Sequence, residues 1–177
     1  EKILLTTAEK LEFIEKLIAA GAKKIEVTSF VNARVVPQMA DAEQLIQRLP
    51  LHDDISYSAL VLSRSGLNRL IETPINHVQL SFAVSDGFNL KNVKRTTEQS
   101  VIEMLDIVKE AKQLKRFVNV ILGTSYGCPY DGDVDIQSVM TIAEKFIAIG
   151  VDEITLADTV GLATPNKIEQ SIQLFKK

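Results

Sequence analysis

The sequence predicts an α/β protein in which strand–helix units build one parallel sheet. Short segments rich in Val, Ile and Leu alternate with longer segments whose apolar residues recur at helical spacing. The short segments are apolar almost throughout, which is typical of parallel strands whose two faces are both covered. Right-handed βαβ units fit this order. Five strands can be placed in the 177 residues, and we treat residues 1–177 as one domain.

Turn residues and the periodicity of the intervening helices bound the strands. We place the strands at residues 24–30, 55–61, 76–84, 117–122 and 153–157. Helices are predicted at 7–20, 41–49, 64–72, 97–114, 136–149 and from 165 onward, with Thr7, Ser63 and Asp135 as N-caps. Residues 85–96 are predicted to form a polar, basic loop, and residues 123–132 a glycine-rich loop.

A helix–glycine–strand pattern recurs in the chain, as expected for repeated β/α units. Residues 20–26, AGAKKIE, resemble residues 149–154, IGVDEI. A complete (β/α)₈ barrel needs about 200–250 residues, so five units cannot close one. The sequence therefore predicts either an open doubly wound sheet or part of a barrel. The chain opens and closes on helices without a flanking strand, which favours part of a barrel.

Composition narrows the class of partner. A net charge of −3 provides no broad basic surface for nucleic acid. No apolar run reaches the ~18 residues expected of a membrane span. The single cysteine, Cys128, excludes an internal disulfide and fits a reducing compartment. No Met and no basic leader open the sequence, so we expect the polypeptide to begin further upstream and identify no targeting signal.

Two carboxylates are candidates for chemistry. Glu26 stands in the middle of an apolar strand, where an unpaired carboxylate is costly to bury. Asp158 directly follows the last strand. Parallel strands present their carboxyl ends at one edge of a sheet, and the loops there carry the functional sites of such folds. We therefore predict that Glu26 and Asp158 are catalytic. The alternative is that both are paired polar residues that hold loops.

Four segments of the chain carry a family resemblance. They are IEVTSFV at 25–31, VPQMAD at 36–41, GCPYDG at 127–132 and LADTVGLATP at 156–165. In this order, they resemble the 3-hydroxy-3-methylglutaryl-CoA (HMG-CoA) lyases over nearly the whole chain. The last segment is shared by a wider superfamily of metal-dependent barrel lyases, aldolases and acyl-CoA condensing enzymes, whereas the VPQM and GCPY segments are more specific.

The resemblance implies a TIM barrel that cleaves HMG-CoA to acetoacetate and acetyl-CoA, a step of leucine degradation and ketone-body metabolism. It implies a divalent metal, Mg²⁺ or Mn²⁺, that lowers the cost of forming an alkoxide. The family's first-strand Arg-Asp block, its metal-binding His-x-His pair, its later metal-binding Asn and its catalytic Cys loop have no match here; only Glu1 could end the first block. We therefore expect strands two to six of the barrel, metal ligands outside this segment, and no activity from the segment alone.

The resemblance also implies roles for individual residues. Glu26 and Asp158 would lie at the mouth of the active site, where they would support the catalytic Arg and the metal-bound substrate. The predicted substrate-binding residues are Ser29, Lys91, Asn92 and Cys128. For Lys91 and Asn92, contact with CoA phosphates competes with a solvated loop, and for Ser29 a substrate contact competes with packing. By its order in the chain Cys128 is not the family's catalytic thiol; it would line the pocket or shape a tight loop.

Three functions stay open from the sequence. The first is an HMG-CoA lyase in the full-length protein, with an acyl-CoA substrate, a homodimeric assembly, and a bacterial cytoplasmic or mitochondrial matrix location. The second is a related synthase or aldolase, such as an isopropylmalate or homocitrate synthase. The third is a non-catalytic binding domain derived from a barrel. The strands at 24–30 and 153–157 are expected at the two edges of the sheet, so the isolated segment should self-associate or expose apolar surface.

Overall fold

The structure is a computed structural model that describes residues 3–176. Five strands form a single parallel sheet in the order β1-β2-β3-β4-β5. They are β1 Lys24–Ser29, β2 Ser56–Val61, β3 His77–Ala83, β4 Phe117–Gly123 and β5 Glu153–Leu156. A doubly wound sheet reverses its strand order in the middle, whereas successive β/α units of a barrel wall keep the order of the sequence. The predicted partial barrel of about five β/α units is confirmed.

Helices alternate with the strands in the described part of the chain. They are α1 Thr7–Ala19, α2 Ala42–Gln47, α3 Arg64–Ile71, α4 Asp86–Val93, α5 Thr97–Gln113, α6 Ile136–Ile147 and α7 Pro165–Phe175, with a short 3₁₀ helix at Pro37–Met39. None of these helices has both the length and the apolar character needed to cross a membrane. Glu1, which could end the first-strand block, lies outside the described residues.

Helix α1 begins at Thr7 as predicted, but its N-cap is a different residue. Thr6, not Thr7, is its N-cap, because Thr6 has extended backbone and accepts the Glu9 N–H at 3.3 Å. The Glu9 carboxylate in turn accepts the Thr6 N–H at 2.7 Å, which completes a capping box. Two adjacent threonines look equivalent in sequence, and only the backbone conformation distinguishes them. The predicted caps Ser63 and Asp135 are confirmed.

The sheet has one face covered by helices and one open face. The covered face is apolar, and its buried residues include Ala59, Val61, Val78, Leu80, Phe82, Val118, Val120 and Leu122. The strand register places polar residues such as Gln79, Asn119 and Thr155 on the other face. There Asn119 Nδ2 donates to Gln79 Oε1 at 2.7 Å and to Thr155 Oγ1 at 3.0 Å. In a closed barrel this open face would line the interior.

Strands β1 and β5 lie at the two edges of the sheet, as predicted. Each pairs with one neighbour only among the described residues, so the outer backbone groups of both strands lack a partner strand there. Unpaired edges of this kind can pair with another strand. Self-association of the isolated segment remains a prediction.

The predicted loop at 85–96 is wrong, because helix α4 occupies Asp86–Val93. Its helical pattern is weak in sequence, and a buried side chain anchors it instead. Asn89 is fully buried: its Oδ1 accepts the Ala83 N–H at 3.1 Å, and its Nδ2 donates to Thr96 O at 3.0 Å and to Ser100 Oγ at 2.6 Å. Asn89 therefore joins α4 to the end of β3 and to the start of α5.

Arg69 on α3 holds the carboxyl end of β1. Its guanidinium donates two hydrogen bonds to Glu43, at 2.7 and 2.9 Å, and one to the Val31 carbonyl at 3.1 Å. It also lies 5.2 Å from the centroid of the Phe30 ring. We expect Arg69→Met to lower the free energy of unfolding by about 1–2 kcal/mol, because it removes these charge-assisted hydrogen bonds. The loss is limited because both groups are partly exposed and solvent screens their charges.

Denaturant unfolding measures this effect, and an exposed ion pair provides the control. Lys16 pairs with Glu12 on the surface of α1, and Lys16→Met should change the free energy of unfolding by less than about 0.5 kcal/mol. Equal effects from both substitutions would contradict the prediction. Hydrogen bonding to Arg69 lowers the pKa of Glu43 below its usual 4.5. The contribution of this pair is therefore present at neutral pH and lost as the pH falls below 4.5 through the folded-state pKa.

Candidate active site

Five of the six predicted site residues lie at the carboxyl edge of the sheet or in the segments that follow it, and the sixth, Glu26, lies in the middle of β1. Ser29 ends β1, and Glu26 lies three residues before it in the same strand. Lys91 and Asn92 lie on α4, which follows β3. Two others follow the next strands: Cys128 in the loop after β4, and Asp158 two residues after β5. In parallel β/α folds this is the edge at which ligands bind.

A β-bulge in β1 brings Glu26 and Ser29 to the same face of the sheet. Glu26 pairs with Ser58 and Thr28 with Ala59, so Val27 is the extra residue. In a regular strand, residues three apart point to opposite faces. The bulge restores the alternation after one extra residue, and Ser29 pairs with Leu60 on the open face. Bulges of this kind often re-aim side chains next to active sites.

Glu26 is exposed, which corrects the expectation of a carboxylate in buried surroundings. The strand is apolar on its covered face only, where Ile25 and Thr28 are buried, and Glu26 points to the open face. Partial removal of water by the neighbouring atoms still raises the pKa of Glu26 above 4.5. An acid whose ionised form loses hydration without a charged partner is a candidate functional group.

Asp158 holds its own loop through backbone hydrogen bonds. Its Oδ1 accepts the Leu162 N–H at 2.8 Å, and its Oδ2 accepts the Ala163 N–H at 3.0 Å. These bonds lower the pKa of the exposed Asp158 carboxyl below 3.8, and the bond from the Ala163 N–H has the largest effect. Asp158 is thus an ionised, oriented carboxylate at neutral pH. It lies at the opposite edge of the sheet from Glu26, and the described residues do not bring the two carboxylates together.

Cys128 is buried inside a tight loop. Its backbone N–H donates to Gly132 O at 2.7 Å, and the Gly132 N–H donates back to Cys128 O at 3.0 Å. Its Sγ accepts the N–H groups of Tyr130 and Asp131, each at 3.4 Å. These contacts agree with the interpretation of Cys128 as a small residue that shapes the loop.

The loop after β4 docks onto helix α4 and brings Lys91 near it. The Gly87 N–H, in the first turn of α4, donates to Asp131 Oδ2 at 2.7 Å. The Lys91 ammonium lies 4.4 Å from the centroid of the Tyr130 ring, an arrangement that fixes its direction. Lys91 and the neighbouring Asn92 are both exposed. The structure therefore brings Lys91, Asn92 and the Cys128 loop together, while Ser29 and Glu26 lie on β1.

Gly87 is required at this contact because a side chain there would meet the docked loop. An added Cβ would overlap Asp131 Oδ1 and lie 2.8 Å from Tyr130 Cβ. We expect Gly87→Ala to lower the free energy of unfolding by about 1–3 kcal/mol, as for other overpacked sites. A double-mutant cycle measures the cause: in an Asp131→Ala background, Gly87→Ala should cost less. The same cost in both backgrounds would show that the Asp131 contact is not responsible.

Cavities lie at both ends of the sheet. One of about 800 Å³ is lined by the first residues of several strands, including Lys24, His77 and Phe117. Another of about 530 Å³ is lined by Asp158, Thr155 and residues of α7. The cavity beside Asp158 is the one that includes a predicted site residue, and the cavity at the amino ends of the strands includes none of them.

The described residues do not provide a metal site. No group of three or more His, Cys, Asp or Glu side chains within residues 3–176 is arranged to hold a metal. His52 lies in an exposed turn, and His77 is buried at the start of β3 with its Nδ1 3.3 Å from Ser56 Oγ. The donors of this segment therefore do not fit a divalent cation by themselves.

Sequence reasoning missed the contacts that join the loops. Asn89, Asp131 and Thr124 each connect two or more of them, yet none stands out in the sequence. The one available signal is Gly87, a glycine early in a helix, where such a residue indicates a close approach by another segment.

The chain is similar to known proteins over nearly its whole length. The HMGL-like family pattern matches residues 1–177. An (R)-citramalyl-CoA lyase from Chloroflexus aurantiacus is 38% identical over 178 residues, covering 95% of this chain and 56% of that protein. A hydroxymethylglutaryl-CoA lyase from Bacillus subtilis is 30% identical over 173 residues, covering 98% and 58%. A solved HMG-CoA lyase from Acinetobacter baumannii, in complex with coenzyme A and 3-methylmalate, has a TM-score of 0.92 at 31% identity, covering 99% and 57%.

The parallel sheet, whose strands follow the order of the chain, identifies this chain as a segment of a TIM-barrel protein. The two relatives described above are a citramalyl-CoA lyase and a hydroxymethylglutaryl-CoA lyase. The chain belongs to the HMGL-like family. It spans slightly more than half the length of the curated relatives described above.

Proposed function

We propose that the complete protein is a carbon–carbon lyase that cleaves HMG-CoA to acetoacetate and acetyl-CoA. The observation that carries this proposal is the match of nearly the whole segment, at a TM-score of 0.92, to an HMG-CoA lyase that was solved with coenzyme A. The four sequence segments that resemble this family lie in or next to the carboxyl-edge loops. The 38% identity to a citramalyl-CoA lyase favours a second candidate substrate, citramalyl-CoA, for the same type of cleavage.

The cleavage requires one base and one acid. A base removes the proton of the C3 hydroxyl, and the C2–C3 bond breaks as C3 becomes the ketone of acetoacetate. The electron pair passes into the enolate of acetyl-CoA, which an acid protonates at C2. A divalent metal, Mg²⁺ or Mn²⁺, would stabilise the alkoxide oxygen, with ligands from outside this segment, because the described residues do not form such a site.

The residues of this chain orient the substrate and its partners. Asp158 would present an ionised carboxylate that its backbone hydrogen bonds hold in place. Glu26, which has a raised pKa and no charged partner among the described residues, would pair with the Arg that the family carries on its first strand. Such a pair would bring the pKa of Glu26 back down. Both carboxylates would act at the mouth of the barrel.

The remaining candidates would bind the substrate. Lys91 and Asn92, exposed beside the docked β4 loop, would meet the phosphates of CoA, and the Tyr130 ring would direct the ammonium. Ser29 would offer a hydroxyl from the open face, and Cys128 would shape the wall of the pocket. Residues 1–177 would form part of one catalytic domain of a homodimer. A cytoplasmic or mitochondrial matrix location and a role in leucine degradation complete the proposal.

An assay on the complete protein tests the proposal. HMG-CoA and citramalyl-CoA are supplied separately with Mg²⁺ or Mn²⁺, and formation of acetyl-CoA is followed with and without a chelator. Chelator-sensitive release of acetoacetate from HMG-CoA is the expected result. Cleavage of citramalyl-CoA alone would transfer the assignment to the second substrate. No turnover of either compound by a folded, metal-loaded protein would favour another acyl-CoA reaction or the non-catalytic alternative.

A further inference from the structure

Thr124 has an unusual backbone conformation at the carboxyl end of β4. Its φ is +58°, in the left-handed region, and its side chain is completely buried. β-Branched residues rarely adopt this conformation, because their Cβ substituents crowd the backbone. Strain of this kind persists only where surrounding contacts hold it, and it concentrates at functional sites.

The left-handed conformation turns two successive amides toward the same neighbour. In an extended strand, consecutive N–H groups point in opposite directions. Here the Thr124 N–H donates to Thr159 Oγ1 at 2.7 Å, and the Ser125 N–H donates to Ala157 O at 3.1 Å. Both amides therefore bind the segment that contains Asp158, one on each side of that residue.

The Thr124 hydroxyl connects the same point to the loop after β3. Thr124 Oγ1 donates to Gly123 O at 2.7 Å, so its single proton is used. Its contact with Ser85 Oγ, at 2.9 Å, is then a hydrogen bond that Ser85 donates. Ser85 is also buried. One residue thus joins the ends of β3, β4 and β5.

We propose that Thr124 is a positioning residue of the candidate site: its left-handed backbone directs the Thr124 and Ser125 amides at the segment around Asp158, and its hydroxyl holds that backbone in place through Gly123 O and Ser85 Oγ. The carboxylate of Asp158 is oriented by amides within the Asp158–Ala163 turn, and Thr124 anchors the turn from outside. The left-handed backbone of Thr124 costs stability, and its hydrogen bonds join the segments that follow β3, β4 and β5. Its effect on turnover rests on the proposed function, whereas its effect on the turn does not.

Three substitutions in the complete protein separate positioning from simple packing. Thr124→Ser keeps the hydroxyl and should retain kcat within about twofold. Thr124→Val removes the hydroxyl and should lower kcat about tenfold, with a smaller change in KM, because misplaced groups lose mainly transition-state stabilisation. Thr124→Gly relieves the strain and should keep or raise the melting temperature, yet lower kcat about tenfold. A merely structural role predicts that kcat follows stability, so Thr124→Gly would then retain it.

A second left-handed residue provides the matched control. Lys115 has a φ of +58° in the turn before β4, at the opposite end of that strand. Lys115→Gly should relieve comparable strain and leave kcat unchanged. If kcat falls equally in Lys115→Gly and Thr124→Gly, the effect is general to the fold, and the proposal is overturned.

Amide hydrogen exchange gives a readout that does not depend on activity. Exchange at residues 158–163 should accelerate about tenfold in Thr124→Gly and Thr124→Val, and stay near wild type in Thr124→Ser and Lys115→Gly. Unchanged exchange in all four variants would overturn the proposal. If the wild-type protein cleaves neither acyl-CoA, the proposed function fails, and the exchange result alone decides the role of Thr124.

Discussion

Replacing Glu26 or Asp158 with its isosteric amide is expected to lower the kcat of the complete protein about 100-fold. Carboxylates that hold or exchange protons at a reacting centre contribute on this scale. Asp158→Asn removes the charge that two backbone amides now orient. Glu26→Gln removes an ionisable group that lies on the open face of the sheet, next to the bulge in β1. Steady-state kinetics with HMG-CoA and citramalyl-CoA measure both effects.

Stability should not follow activity in these variants. Without a charged partner, the raised pKa of Glu26 makes its ionised form oppose folding as the pH rises above 4.5, and the Arg proposed above would offset that cost in the complete protein. Glu26→Gln should therefore keep the melting temperature close to that of the wild type while activity falls, as is common at functional sites. Asp158 is exposed, and its replacement should have a small effect on stability.

Glu153 provides the matched control for both carboxylates. It is also exposed and its register places it on the open face, but it starts β5 and so lies at the amino edge of the sheet. Glu153→Gln should leave kcat unchanged. Wild-type turnover in both Glu26→Gln and Asp158→Asn would refute the catalytic assignment and leave the two residues as holders of their loops.

Replacing Asn89 with alanine is expected to lower the free energy of unfolding by about 3 kcal/mol. The buried side chain makes three hydrogen bonds, to Ala83, Thr96 and Ser100. Its removal would leave the buried Ala83 N–H without this acceptor, at about 1–3 kcal/mol, and would lose the bonds to Thr96 and Ser100, at about 1 kcal/mol each. Partial entry of water would reduce the sum. Chemical denaturation of the complete protein measures the change.

Asn92 allows a control on the same helix. It is exposed one turn further along α4, and Asn92→Ala should change the free energy of unfolding by less than about 0.5 kcal/mol. Because Asn92 is also a proposed contact of CoA, its replacement should raise KM without affecting stability. Equal destabilisation by the two substitutions would show that the three bonds of Asn89 are not the anchor of α4.

The sequence was sufficient to predict the sheet and its edges. Each strand is apolar on its covered face and flanked by turn residues, and the structure confirms all five strands to within about two residues. Helix α4 could not be found in the same way, because its segment lacks a strong apolar stripe and is held by the single buried side chain of Asn89. Local periodicity does not report a contact between residues distant in sequence.

The candidate site was predicted less completely than the fold. Positions such as Asp158 follow directly from strand ends, which the sequence shows. The shared face of Glu26 and Ser29 was not predictable, because it depends on a bulge that changes which residues point to the same side of the sheet. The left-handed backbone of Thr124 had no signal either, since threonine is not a residue that this conformation favours. Both features arise from how neighbouring strands and loops meet.

The bulge in β1 also determines where this strand tolerates a change in length. Val27 is the residue without its own partner on β2, so deleting it would leave a regular ladder with Glu26 still opposite Ser58 and Ser29 still opposite Leu60. The deletion would remove an apolar side chain that packs on the covered face. Deleting Ile25 instead would turn the side chains that precede Glu26 in the strand to the opposite face of the sheet. Among single-residue deletions in this strand, loss of Val27 is therefore an evolutionary route that shortens β1 while keeping its polar face intact.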